Sequence, residues 1–116
     1  MALSIDKTVD GKIAVLEVHG RIVLGEESSR LRAAVLDELA NQRSKIALVL
    51  EDVAQIDSSG WGTLVSAYTA AANVGGELVL IKPSRSIVES GTVNRLIGVY
   101  KTFDSIDEAV AYFKQT

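Results

Sequence analysis

The chain has 116 residues, the length of one ordinary domain, with 47% hydrophobic and 23% charged residues, a balance that supports one well-packed core. Aromatics are only 5%, so that core has to be aliphatic, built from Val, Leu, Ile and Ala. The absence of cysteine excludes disulfides, thiolate chemistry and Cys-ligated zinc or iron–sulfur clusters, and the single histidine, His19, excludes paired-histidine metal sites. A net charge of −3 argues against a nucleic-acid surface, which needs a basic face.

No apolar run approaches the ~20 residues of a membrane span, and residues 1–7 lack the basic and long apolar regions of a secretion signal. The expectation is a cytoplasmic domain without direct membrane insertion. Residues 1–116 contain no linker, low-complexity tract or solenoid repeat and are read as one domain.

In chain order, Leu3, Ile5, Lys7 and Val9 alternate with Ser4, Asp6 and Thr8, the period of a half-exposed strand. Asp10-Gly11 signals a tight hairpin, and Ile13 to Val18 runs back as a more buried strand ending at Gly20. A loop through Gly25 leads to Glu26 and Glu27, which suit the positive end of a helix. That helix carries Leu31, Ala34, Val35 and Leu39 inward and ends near Asn41. Ile46 to Leu50 reads as a central strand covered on both faces, followed by a loop from Glu51 to Asp57.

The pattern then changes to a helical period, with Trp61, Leu64, Val65, Tyr68, Ala71 and Ala72 on one stripe. Gly75-Gly76 stops this helix, and Glu77 to Ile81 forms another strand. Pro83 and Ser84 open a helix carrying Ile87 and Val88, whose end around Gly91 to Gly98 the pattern does not fix. A short strand is expected near Val99 to Thr102. The pair Ser105 and Glu108 then forms a capping box ahead of Ala109, Val110 and Phe113. The expected architecture is α/β: an N-terminal hairpin, then alternating helices and strands in a mixed sheet with right-handed later crossovers.

The most informative segment is Ile56-Asp57-Ser58-Ser59-Gly60-Trp61-Gly62, between a buried strand and the start of the best-marked helix. Free backbone amides and the helix dipole favour negative charge there. Two readings are open. Asp57, Ser58 or Ser59 serves as an N-cap contributing about 0.5–2 kcal/mol. Alternatively, a serine accepts a phosphoryl group, adding about −1.5 to −2 charges where the dipole tolerates them and a docked partner does not.

Trp61 likewise reads either as core or as a partly exposed contact anchor. His19, the only candidate general base, lies on a strand and is more simply a strand-end imidazole. Neither Gly-x-Ser-x-Gly nor a phosphate-binding Gly-x-x-x-x-Gly-Lys loop is present, so a hydrolase using Ser58 or Ser59 has no apparatus around it and no cofactor is expected.

Five motifs carry a resemblance: Gly20-Arg21-Ile22; Leu48-Val49-Leu50-Glu51-Asp52-Val53; Ile56-Asp57-Ser58-Ser59-Gly60; Gly75-Gly76-Glu77-Leu78; and Phe103-Asp104-Ser105 with Glu108-Ala109. In this register the whole chain resembles a STAS domain, specifically the stand-alone bacterial anti-sigma-factor antagonists. The resemblance implies a STAS fold and a non-enzymatic partner switch, with Ser58 as phosphoacceptor for an anti-sigma factor that is also a serine kinase. It further implies that the unmodified chain binds this kinase and frees the sigma factor, and that a PPM-type serine phosphatase reverses the modification. ATP and magnesium then belong to the kinase.

Asp57, Ser59, Gly60 and Trp61, with Arg21, Ile22 and Val23 of the preceding loop, are the residues it places toward the partner. The chain departs from the family pattern at Trp61, where leucine is usual, at Ile22 to Glu27, which lacks the usual aspartate, and at Gly91 to Gly98, which matches only in a shifted register. The same turn would also serve a non-catalytic STAS subunit or scaffold of a larger assembly, such as a lipid transporter or stress-signalling complex.

Overall fold

The computed structural model describes residues 3–115. Strand β1 (Ser4–Asp10) pairs antiparallel with β2 (Ile13–Ile22). The chain continues through α1 (Glu26–Ala40), β3 (Lys45–Ile56), α2 (Ser58–Asn73), β4 (Glu77–Ile81) and α3 (Arg85–Val93). A 3₁₀ turn (Ile97–Val99), β5 (Thr102–Phe103) and α4 (Ile106–Lys114) complete it. The five strands lie in chain order across one mixed sheet, in which β2, β3, β4 and β5 are parallel.

Alternation along the central strands sorts side chains onto two faces. Leu16, Val18, Ile46, Leu48, Leu50, Leu78 and Leu80 meet Leu31 and Val35 of α1, Leu64, Ala67 and Ala71 of α2, and Ile87 of α3. Ile13, Val15, Ala47, Val79 and Ile81 face the other way and meet Ala109 and Phe113 of α4. Strand β3 is therefore covered on both sides, as its continuous apolar run requires.

Several boundaries differ from those expected. The loop expected over Glu51 to Asp57 is the second half of β3, paired with β2 as far as Ile22 opposite Ile56. Two register shifts cause this difference: Glu17 faces Val49 but His19 faces Asp52, and Gly20 faces Val53 but Arg21 faces Gln55. Each places an extra residue in β3, so Val53 and Ile56 are buried three apart and the two-residue signature disappears. Strand β2 consequently runs past Gly20 to Ile22.

The expected strand over Val99 to Thr102 is a 3₁₀ turn followed by β5. On α2, Val65 and Ala72 are exposed, while Gly60, Thr63 and Ala67 join Trp61, Leu64 and Ala71 inside. Gly91 lies within α3, which runs on to Val93. A Cβ there would lie 2.8 Å from Trp61 Cη2, so only a bare backbone lets α3 approach the indole.

Helix α1 also buries a residue that periodicity alone leaves outside. Glu38, 2% exposed, accepts hydrogen bonds from Lys7 Nζ at 3.2 Å and Arg43 Nε at 2.5 Å. Burial pushes its pKa up, but the two cationic donors outweigh that and hold it below the ordinary value. Lys7 thereby fastens the exposed edge strand to α1. The expected C-terminal capping box is present: Ser105 Oγ accepts from the Glu108 amide, while the Glu108 carboxylate reaches one residue further back, to the Asp104 amide.

Candidate functional site

Parallel strands end together at one edge of the sheet, which in α/β proteins is where ligands and partners meet the protein. Here Ile22 and Ile56, partners in register, deliver the loop after β2 and the start of α2 to the same place. Asp57 joins them. Its backbone is extended (φ −112°, ψ −175°), as an N-cap requires, and its Oδ1 accepts from the Gly60 amide at 2.8 Å. The other carboxylate oxygen, Oδ2, accepts from the Leu24 amide at 2.9 Å, and the Asp57 amide donates to the Ile22 carbonyl at 3.3 Å.

One side chain thus caps a helix and ties down a loop. The Leu24 amide is the leading reason that Asp57 has a pKa below its ordinary value; burial opposes it, and the Gly60 amide adds to the lowering. The cap is therefore a carboxylate at neutral pH.

Ser58 is the first helical residue and is exposed; Ser59 is half-buried. A visiting enzyme can reach the Ser58 position. Gly60 is buried where α2 crosses the end of β2, and a Cβ on it would lie 2.1 Å from the Ile22 carbonyl oxygen. The glycine is thus required by close backbone approach, and this approach brings the serine turn beside the β2 loop.

Burial divides the seven residues expected to face a partner. Asp57, Ser59 and Val23 are half-buried on the turn or its neighbouring loop, and Arg21, also half-buried, lies in the last residues of β2 opposite Gln55. Ile22, fully buried, and Gly60 belong to the interior, where they seat the turn. Trp61 is 3% exposed and donates from Nε1 to Ser90 Oγ at 2.8 Å, joining α2 to α3. The reading of Trp61 as a partly exposed anchor is corrected: its large apolar ring fills the space above Gly91, and the half-buried Ser90 hydroxyl satisfies its one polar atom.

His19 takes no part in this turn. Its Nδ1 lies 2.9 Å from Asp52 Oδ2 and its Nε2 3.3 Å from Asp6 Oδ2, so carboxylates engage both ring nitrogens. Among the described residues, no group of three or more His, Cys, Asp or Glu side chains could hold a metal ion, and no helix is long and apolar enough to cross a membrane.

Two contributors escaped the sequence reading. Leu24 falls in the expected loop through Gly25, where the sequence assigns it no role, and it is 77% exposed on the loop that Asp57 holds. Ser90 gives no signal of its own, since its role exists only through Trp61.

A sheet ordered in this way, with a capped serine turn at the parallel-strand edge, is the arrangement of a STAS domain, and the STAS domain profile matches residues 4–109. The chain belongs to the STAS domain family. A candidate anti-sigma factor antagonist of Thermotoga neapolitana is 33% identical over 86 residues, spanning 73% of this chain and 76% of the relative. The crystal structure of a candidate anti-sigma factor antagonist of Thermotoga maritima superposes with a TM-score of 0.83 at 26% identity, covering 93% of this chain and 92% of that one. The phosphorylated form of the Bacillus cell-fate determinant SpoIIAA shares the fold, with a TM-score of 0.75 at 19% identity over 97% of this chain and 99% of that one.

Proposed function

We propose that this chain is an anti-sigma factor antagonist: a non-catalytic binding protein of the cytoplasm whose docking is switched by phosphorylation of Ser58. The observation that carries this reading is the exposed Ser58 at the first position of α2, beside an Asp57 whose two oxygens are already committed. The relatives described as antagonists of anti-sigma factors supply the partner class.

Phosphorylation would add about −1.5 to −2 charges at the positive end of α2, which has no acidic residue in its first turn. The helix start tolerates that charge, so the fold survives. A partner lying over the turn would have to desolvate the dianion beside the Asp57 carboxylate, and it dissociates. An anti-sigma factor with serine kinase activity would install the phosphate, using its own ATP and magnesium, and a PPM-type serine phosphatase would remove it.

The test is reconstitution with a purified anti-sigma kinase from the same organism and ATP. Intact mass should rise by one phosphate, peptide mapping should place it on Ser58, and Ser58→Ala should abolish it. Modification at another residue with Ser58 untouched counts against the reading.

A further inference from the structure

Leu24 is one of the most exposed large hydrophobic side chains among the described residues, at 77%. Exposed leucines are ordinary on protein surfaces, so exposure alone means little. What sets Leu24 apart is the backbone that carries it. Its amide donates to Asp57 Oδ2 at 2.9 Å. The carbonyl before it, on Val23, accepts from the Ser28 hydroxyl at 2.7 Å and the Ser28 amide at 3.3 Å. The carbonyl after it, on Gly25, accepts from the Ser29 amide at 3.2 Å. Four hydrogen bonds thus fix a short loop that presents a bare isobutyl group to solvent.

Holding a loop costs conformational entropy, and a contact residue held before binding escapes that cost when the partner arrives. The pin is also the residue that adjoins Ser58, so anchor and modification site form one unit.

Building on the function proposed above, we infer that Leu24 is a preorganised apolar anchor for the anti-sigma factor, with Asp57 as its positioning residue. Glu26 and Glu27 follow it closely along the chain, and the Asp57 carboxylate lies at its amide. The complementary surface is accordingly an apolar pocket rimmed by lysine or arginine. Central apolar side chains seated in such pockets carry a disproportionate share of binding energy.

The experiment titrates the purified anti-sigma factor against the parent, Leu24→Ala, Asp57→Asn and the double variant, each checked by thermal melting. Leu24→Ala is expected to weaken binding at least tenfold with an unchanged melting temperature. Asparagine caps helices as well as aspartate but offers one acceptor oxygen instead of two, so Asp57→Asn keeps α2 and frees the loop. It should speed hydrogen exchange of the Leu24 amide and weaken binding severalfold in the parent, with little further effect once Leu24 is alanine. Binding of Leu24→Ala within twofold of the parent overturns the anchor. An equal effect of Asp57→Asn in both backgrounds overturns the positioning role. If the parent itself binds no anti-sigma factor, the functional reading falls and this inference falls with it.

Discussion

Two glycines of α2, separated by one residue, should respond oppositely to the same change. A Cβ on Gly60 would lie 2.1 Å from the Ile22 carbonyl oxygen and 2.8 Å from Ile56 Cγ1, whereas a Cβ on Gly62 meets nothing within 4 Å. An ordinary carbon–oxygen contact is about 3.3 Å. Gly60→Ala therefore forces α2 and the end of β2 apart by roughly an ångström, against backbone that cannot swing away like a side chain.

Overpacking of this kind costs about 1–3 kcal/mol, and loosening the Asp57–Gly60 hydrogen bond adds about 1, offset by about 1 from the better helix propensity of alanine. The net loss is about 2 kcal/mol. For a chain of 116 residues, unfolding entropy converts each kcal/mol into roughly 4 °C, so the melting temperature should fall by about 8 °C. Gly62→Ala keeps only the propensity gain and should melt about 2–4 °C above the parent. Thermal denaturation followed by circular dichroism measures both. A Gly60→Ala protein as stable as the parent would refute the claim that close backbone approach seats the serine turn.

Acid should erase the contribution of Asp57. Its pKa in the folded chain lies below the ordinary 3.8, so the stabilisation is complete above that value and is lost as pH falls through the folded value. Melting temperatures of the parent and Asp57→Asn should differ by a constant amount from neutral pH down to about 5, and the gap should narrow as pH falls below the ordinary aspartate value; Glu38, titrating in both proteins, cancels. A gap that does not narrow in acid would contradict the tether. Gly91→Ala should destabilise the parent, because the new Cβ lies 2.8 Å from both Ile97 Cβ and Trp61 Cη2, and less in a Trp61→Leu background, where the Ile97 contact alone remains. A double-mutant cycle by denaturant unfolding should give a coupling on the order of 1 kcal/mol, and simple additivity would break the link between α2 and α3.

Most of the architecture was legible because the elements that build it repeat regularly. The Asp10-Gly11 hairpin, the apolar run of β3 and the caps at Asp57, Ser84 and Ser105 each report a local rule that the tertiary structure obeys. Illegible parts were those in which one segment's role depends on another. The second half of β3 lost its alternation to two bulges that only pairing with β2 defines. The burial of Glu38 has no signal along α1 because it depends on Lys7, from a distant strand, which pairs with it together with Arg43.

The candidate site divides in the same way. The serine turn could be located from hydroxyls and glycines ahead of a helical period. By contrast, the burial of Trp61 and Ile22 and the exposure of Leu24 depend on α3 and on the β2 loop packing nearby. The placement of Leu24 rests on a hydrogen bond to Asp57, from a distant part of the chain, and periodicity carries no sign of it.

The most direct measurement is the affinity of stoichiometrically phosphorylated protein for the purified anti-sigma factor, taken beside its melting temperature. The account predicts at least a 100-fold loss of affinity, about 2.8 kcal/mol, with a melting temperature within about 2 °C of the unmodified chain. Equal affinity in the two forms, or weakened binding that tracks unfolding, would contradict it.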